Sequence, residues 1–177
     1  MTVAKSINRY CNFFRYQGAE TVLDYGAGKL RNSRYLAEQG FTVFAADLPD
    51  QVERFRDLPC SDALAGGFDT DQLSHARLNV DLVLSTYVFN IISGSAEKDT
   101  YVANIVRNLK KGGYLLMEVR CRRPDSCGDG CTHYFNHADC ARTFTHQELD
   151  SLLLPHGFRR ISHYYRKHAV AAIYQLD

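Results

Sequence analysis

Short, nearly continuous apolar runs alternate along the chain with stretches whose apolar residues recur every three or four positions. Residues Thr21–Tyr25 (TVLDY), 41–46 (FTVFAA), 81–88 (DLVLSTYV) and 114–119 (YLLMEV) predict strands. Their lack of polar alternation is the mark of strands buried on both faces. Between them, residues 30–39 run to Gly40 and residues 98–110 run to Gly112 and Gly113, two helical patterns with glycine stops. In the second, Tyr101, Val102, Ile105, Val106 and Leu109 fall on one helical stripe. Residues Lys5–Tyr16 read as an amphipathic leading helix, and spacing places a third strand near residues 58–64. After Thr145 come a helix over 146–154, a stop at Pro155, His156 and Gly157, and strands over 158–165 and 169–175. Arg166, Lys167 and His168 join those two strands through a link short enough for a hairpin. The alternation predicts an α/β fold: a mostly parallel seven-stranded sheet, helices on both faces, and a C-terminal antiparallel hairpin.

The length of 177 residues is that of one domain, spanning residues 1–177. Apolar residues make up 45% and charged residues 23%, which excludes a disordered or low-complexity chain. No apolar run reaches the ~18 residues of a membrane span, and residues 1–14 carry Lys5, Asn8, Arg9 and Asn12 in place of an apolar leader. A cytoplasmic protein with no membrane partner and reduced thiols is expected. The net charge of +1 conceals basic ends around an acidic middle, an ordinary mixed surface.

The most informative stretch is residues 22–28, VLDYGAG, followed by a helical pattern. A strand entering a glycine turn and then a helix lets a ligand approach bare backbone. Asp47 follows Gly28 by 19 residues, at the end of the second strand, where a carboxylate can accept from both hydroxyls of a ribose. A phosphate-binding P-loop is excluded because Leu23 stands where its first glycine belongs and Leu30 where its Ser or Thr belongs. A dinucleotide fingerprint is incomplete, with Arg31 at the third glycine position, which weakens a nicotinamide-linked reductase. S-adenosylmethionine needs no pyrophosphate cradle and remains.

Four features together resemble the class I S-adenosylmethionine-dependent methyltransferases over nearly the whole chain. They are DYGAG at 24–28, the acid Asp47, DLVLSTYVFN at 81–90 and LKKGGYLLMEV at 109–119. The ending RTFTHQEL, then HGF and two strands, also looks like that family, whose fold is Rossmann-like. Arg31, Asn32 and Ser33 are similar to the tellurite-resistance type, and residues 87–92 look somewhat like methyltransferases associated with DNA phosphorothioation. The resemblance implies S-adenosylmethionine as cofactor and S-adenosylhomocysteine as product. It implies that Asp24, Tyr25, Gly26, Ala27 and Gly28 border the methionine portion and that Asp47 holds the ribose. Leu48 would pack near the adenine, flanked by Asp62 and Ala63. Ser85, Thr86 and Tyr87 would line the floor of the pocket. If the acceptor needs a base, Tyr87, His133 and His137 are the candidates.

Cys121, Cys127, Cys131, His133, His137 and Cys140 crowd one stretch. Thiolates and imidazoles are a zinc set, but the spacing between pairs is far shorter than in a zinc finger, so bound zinc and a free-thiol loop both stay open. This insertion, residues 122–143, follows the fifth strand and is expected to form a lid over the active site. Arg122, Arg123, His133, Tyr134 and His137 are its expected polar contacts. Residues 156–168 carry Arg159, Arg160, Arg166, Lys167 and three histidines without an acid, which would attract an anionic acceptor or protect an edge strand. The expected function is methyl transfer to a small molecule. The alternatives are a nucleic-acid methyltransferase, for which the base-methylating D/N-P-P-Y motif is absent, and a non-catalytic methyltransferase-like binding module.

Overall fold

The first strand of the chain lies inside its sheet, next to the central one. In the computed structural model, which describes residues 3–55, 57–58, 61–121, 134–136, 139–141 and 143–177, nine strands form two sheets. The main strands are β1 (Thr21–Tyr25), β2 (Thr42–Asp47), β3 (Gly66–Asp69), β4 (Val80–Thr86), β5 (Leu109–Arg120), β8 (Phe158–Arg166) and β9 (Ala169–Leu176). A separate two-stranded pair is made by β6 (Tyr134–Asn136) and β7 (Asp139–Ala141). The seven-stranded order is β3-β2-β1-β4-β5-β9-β8. All neighbours from β3 to β5 are parallel, whereas β9 is antiparallel to both β5 and β8. The chain winds outward from β1 to β3, then returns to β4 on the other side. That reversal opens a crevice above the carboxyl ends of β1 and β4, where ligands bind in open α/β sheets.

Among the described residues six α-helices flank the sheet: α1 (Lys5–Tyr16), α2 (Arg31–Glu38), α3 (Pro49–Phe55), α4 (Thr70–His75), α5 (Ser95–Asn108) and α6 (His146–Leu153). Successive strand residues serve opposite cores, which explains the unbroken apolar runs. Val22, Leu82, Leu84 and Leu116 pack against Ile7, Cys11 and Phe14 of α1 and Leu36 of α2. Leu23, Val83, Leu115 and Met117 pack against Leu73 of α4, Tyr101 and Ile105 of α5 and Leu149 of α6. Among the described residues no helix is long and apolar enough to cross a membrane.

The expected architecture stands, with two local shifts. Residues 58–64 do not form the third strand; they include the 3-10 turn Ser61–Ala63, and β3 follows at Gly66–Asp69. Its sequence, GGFD, has one strand-forming side chain, Phe68, and two glycines that erase the pattern. Asp69 then starts α4 at once: its carboxylate accepts from Gln72 N (2.8 Å) while Gln72 Oε1 accepts from Asp69 N (3.0 Å). The stripe expected to stay helical to Lys110 ends at Asn108, and β5 begins at Leu109.

At the amino edge of the sheet, Asp81 ties three strands together. Its carboxylate accepts from Thr21 Oγ1 (2.7 Å), Thr21 N (2.9 Å), Glu20 N (3.0 Å) and Lys110 Nζ (2.7 Å). Burial opposes the charge, but these donors outweigh it and hold the carboxyl well below the usual carboxylate range. A depressed folded pKa stabilises the fold above the unfolded value, and that contribution is lost as pH falls below ~4. Asp81→Asn is expected to lose about 2 kcal/mol at neutral pH, a deficit that shrinks below pH ~4. Urea unfolding at both pH values checks this.

Candidate functional site

The loop leaving β1 is anchored first by its own backbone. Gly26 N and Ala27 N both donate to Ala46 O of β2, at 2.7 and 3.2 Å. Gly26 has φ +89°, and a Cβ built there would stand 2.0 Å from Val88 Cγ2. Only glycine satisfies both the left-handed backbone and the contact. Gly28 is also left-handed, at φ +53°.

Two carboxylates flank this loop. Asp24 is fully buried at the carboxyl end of β1. Its Oδ2 accepts from Ser33 Oγ of α2 (2.6 Å), and its Oδ1 has no partner. Burial pushes its carboxyl up to about 6, against the Ser33 hydrogen bond and with the charge of Asp47 adding to the rise. Asp47, half-buried at the end of β2, accepts from Gly28 N (2.7 Å) and Leu48 N (2.8 Å). It therefore fixes the glycine loop and keeps lone pairs available at its mouth.

A cavity of ≈ 960 Å³ opens at this edge of the sheet, at the upper end of the usual range for ligand sites. Tyr25, Gly26, Asp47, Leu48, Thr86 and Tyr87 line it, as expected of the loop and strand ends, whereas Asp24 is buried behind the lining, Ala27 packs into the core with Leu30, Ala45 and Phe55, and Gly28 is off the wall. Leu48 is exposed on its wall. Ser85 is not on that wall: it is fully buried and its hydroxyl hydrogen-bonds Tyr101 Oη (2.9 Å), whose own proton goes to Tyr25 O (3.1 Å). Tyr101 stacks on Tyr25 at 4.1 Å between ring centroids, so the α5 stripe forms part of the cavity's base. Asp62 and Ala63 are exposed on the turn that precedes β3, at its amino end, so the structure does not bring them to the cavity. Their place on the lining is taken by Thr70, Asp71 and Ser74 of α4, residues invisible to a reading that misplaced β3.

Tyr87 has a left-handed backbone, φ +60°, rare for a bulky side chain. Its hydroxyl donates to Glu118 Oε1 (2.7 Å), and its N–H donates to Glu118 O (2.7 Å). Burial and the Glu118 carboxylate push the phenol well above its ordinary range. Without a ligand, the Tyr87 phenol thus keeps its proton, directed at Glu118. Glu118 was not singled out from the sequence, although a lone carboxylate inside LLMEV was a usable signal. His133, His137, Arg122, Arg123, Cys127 and Cys131 lie outside the described residues, and of Tyr134 and Cys140 only the strand positions are described. Among the described residues no group of three or more His, Cys, Asp or Glu could hold a metal ion. Arg166 emerges at the carboxyl edge, 3.9 Å from Glu118 Oε1, and Arg160 Nε pairs with both oxygens of Asp150 (2.9 and 3.0 Å). Two of the cations expected to draw an anionic acceptor thus face carboxylates of the chain itself.

A family model described as a methyltransferase domain matches residues 23–117. No curated protein matches the chain. Among solved structures, a 1,6-didemethyltoxoflavin-N1-methyltransferase from Burkholderia thailandensis, with bound 1,6-didemethyltoxoflavin and S-adenosylhomocysteine, superposes with a TM-score of 0.72. It is 23% identical, and the match covers 98% of this chain and 79% of that one. An S-adenosylmethionine-dependent methyltransferase from Methanosarcina mazei has a TM-score of 0.74 at 18% identity, covering 99% of each chain. Magnesium protoporphyrin IX methyltransferase from Synechocystis, with bound S-adenosylhomocysteine, has a TM-score of 0.70 at 13% identity, covering 98% of this chain and 83% of that one. At these identities the likeness is one of fold. The comparisons do not confirm the narrower likeness to the tellurite-resistance type.

Asp24 gives this geometry a measurable cost. A raised folded pKa favours the fold most below the ordinary carboxylate range, and that contribution is lost as pH rises through about 6. Asp24→Asn is therefore expected to be more stable than the wild type at pH 8, by about 1–2 kcal/mol, with no difference near pH ~4. Gly26→Ala, by contrast, should lose about 2–3 kcal/mol at either pH. Thermal unfolding measures both, and an Asp24→Asn protein less stable at pH 8 would show the carboxylate to be paired in the ligand-free chain.

Proposed function

Because the chain belongs to the class I S-adenosylmethionine-dependent methyltransferases, we propose that it transfers the cofactor's methyl group to a small-molecule acceptor held at the carboxyl ends of β4 and β5. The observation that carries the reading is a buried carboxylate oxygen without a partner, Asp24 Oδ1, beside a glycine loop that a single Cβ would close. An acceptor of that kind fits the ammonium of a methionyl group, and bare backbone fits its close approach. The cofactor, when bound, supplies an electrophilic methyl group on a sulfonium leaving group.

The chain's own residues then have distinct tasks. Asp24, Tyr25 and the loop from Gly26 through Ala27 to Gly28 border the methionyl portion. Asp47 holds the ribose, and Leu48 covers the adenine from one side while Thr70, Asp71 and Ser74 approach it from the other. Val88, Ile91 and Ile92, with Ala96 and Thr100 of α5, wall the space left for the acceptor. Holding the acceptor in line with the methyl carbon is the main contribution such a wall makes. The comparisons lend no support to a nucleic-acid acceptor or to a non-catalytic module.

The segment 122–143 acts as a lid over this site and carries the acceptor contacts expected of Arg122, Arg123, His133, Tyr134 and His137. Support for this comes from its ends. It leaves from Arg120 and Cys121 and returns at Thr143 and Phe144, where Phe144 N donates to Arg120 O (2.9 Å). Both ends are thereby fastened at the carboxyl edge.

Calorimetric titration with S-adenosylhomocysteine is the first test. Micromolar binding is expected, lost in Asp47→Ala. Since the ligand's ammonium needs Asp24 ionised, affinity should fall about tenfold between pH ~7 and ~5, and this dependence should disappear in Asp24→Asn. Replacing residues 123–142 by a short Gly-Ser linker should impair methyl transfer far more than S-adenosylhomocysteine affinity. Equal turnover would sink the lid.

A further inference from the structure

At the carboxyl end of β5, Glu118 is a carboxylate with 1% of its surface exposed. Burying such a charge is costly unless it is paired and hydrogen-bonded. Its partners come from three elements. Ser6 of α1 donates its hydroxyl to Oε2, Tyr87 after β4 donates its phenol to Oε1 at 2.7 Å, and Arg166 of β8 lies 3.9 Å from Oε1. The field of Glu118 also reaches the buried phenol of Tyr164, and Arg120 bears on Tyr87 from β5 itself. Each carboxylate oxygen accepts one hydroxyl, so a glutamine, with a single carbonyl oxygen, would leave one of these donors facing an amide N–H.

Tyr87 connects this group to the cavity. Its side chain is 39% exposed and lines the cavity wall, while its hydroxyl proton is directed at Glu118. Its left-handed backbone and its N–H bond to Glu118 O fix that orientation at a conformational cost. The phenolic oxygen keeps lone pairs with which to accept a hydrogen bond from a ligand. The neighbouring wall is apolar and aromatic, with Val88, Ile91, Ile92 and Tyr101, which suits a flat ring better than a chain of polar groups.

Resting on the methyltransferase reading above, we propose that Tyr87 and Glu118 form a two-step proton relay, and that the acceptor is an aromatic ring bearing a protonated nucleophile, a hydroxyl or a ring N–H. The acceptor's oxygen or nitrogen forms a bond to the methyl carbon as the carbon–sulfur bond breaks, its electron pair leaving with sulfur. The acceptor's proton passes to Tyr87 Oη while the phenolic proton passes to Glu118 Oε1. Glu118 has no direct route to water, so the proton leaves by the reverse path through Tyr87 once the product departs. Tyr87 touches the acceptor; Glu118 acts through it.

The test uses labelled S-adenosylmethionine with two probes, phenol and 4-nitrophenol, the second already ionised in solution at pH ~9 and needing no base. The wild type is expected to methylate both, with a phenol rate that varies little between pH ~7 and ~9. Glu118→Gln and Tyr87→Phe should lower phenol methylation by about 10²–10³. In Glu118→Gln the remaining rate should climb about tenfold per pH unit as phenol itself ionises, and the loss on 4-nitrophenol at pH ~9 should be about threefold or less. Glu118→Asp should recover part of the phenol rate. Calorimetry on protein saturated with S-adenosylhomocysteine provides the readout without turnover: phenol should bind wild type and Glu118→Gln with affinities within about threefold, because the loss is in proton transfer. Equal losses on both probes, or no transfer to either although S-adenosylhomocysteine binds, would overturn the relay. Failure of the wild type to bind S-adenosylhomocysteine would bring down the cofactor reading and the relay with it.

Discussion

The arrangement at the carboxyl edge depends on one close approach: the β1 loop passes between the carbonyl of Ala46 and the side chain of Val88 with no side chain of its own. Gly26 N reaches Ala46 O at 2.7 Å, and the space where a Cβ would project is already occupied by Val88. This contact ties the loop after β1 to β2 on one side and to the segment after β4 on the other. Those are the strands between which the chain reverses its winding. The crevice therefore opens beside a backbone held from both sides, and Asp47 completes the bracket by accepting from Gly28 N.

The two edges of the sheet treat buried charge in opposite ways. At the amino edge Asp81 is saturated with donors, including Lys110, and its carboxyl is held down. At the carboxyl edge Asp24 has one hydroxyl donor and one orphaned oxygen, and burial pushes its carboxyl up. The first arrangement stabilises the fold; the second costs stability that a cationic ligand would return. Such a division is expected of a domain that stakes its cohesion at one end and its chemistry at the other.

Much of this is legible in the sequence. Strands buried on both faces must be apolar at successive positions, so β1, β2, β4 and β5 stood out, and the glycine loop with Asp47 followed from spacing. What escaped was written in residues without a pattern. GGFD offers one apolar side chain, so β3 was placed too early, and with it Asp62 and Ala63 were credited with a position that belongs near Asp69 and α4. Helices α3 and α4, of seven and six residues, are too short for a helical period to emerge. The resemblance puts Ser85 at the pocket with Thr86 and Tyr87, but strand residues alternate in direction, and its hydroxyl faces Tyr101 behind the wall.

Glu118 illustrates the limit of pattern reading most sharply. Within LLMEV it looks like a polar interruption of a buried strand, and the usual inference is a strand end facing water. Its surroundings are instead supplied by segments distant in sequence: Ser6 lies 112 residues before it and Tyr87 lies 31 before it. No local window contains both. A strand inside a sheet can bring such residues together because its neighbours and the helix above it are fixed by packing that has nothing to do with the charge. Leu116, two positions earlier on the same face, belongs to the apolar core beneath α1, and Glu118 takes the next step along that face. The core thus aims a carboxylate at the cavity's edge without contributing any chemistry, and the polar character of the site begins one side-chain repeat beyond the point where the apolar contacts end.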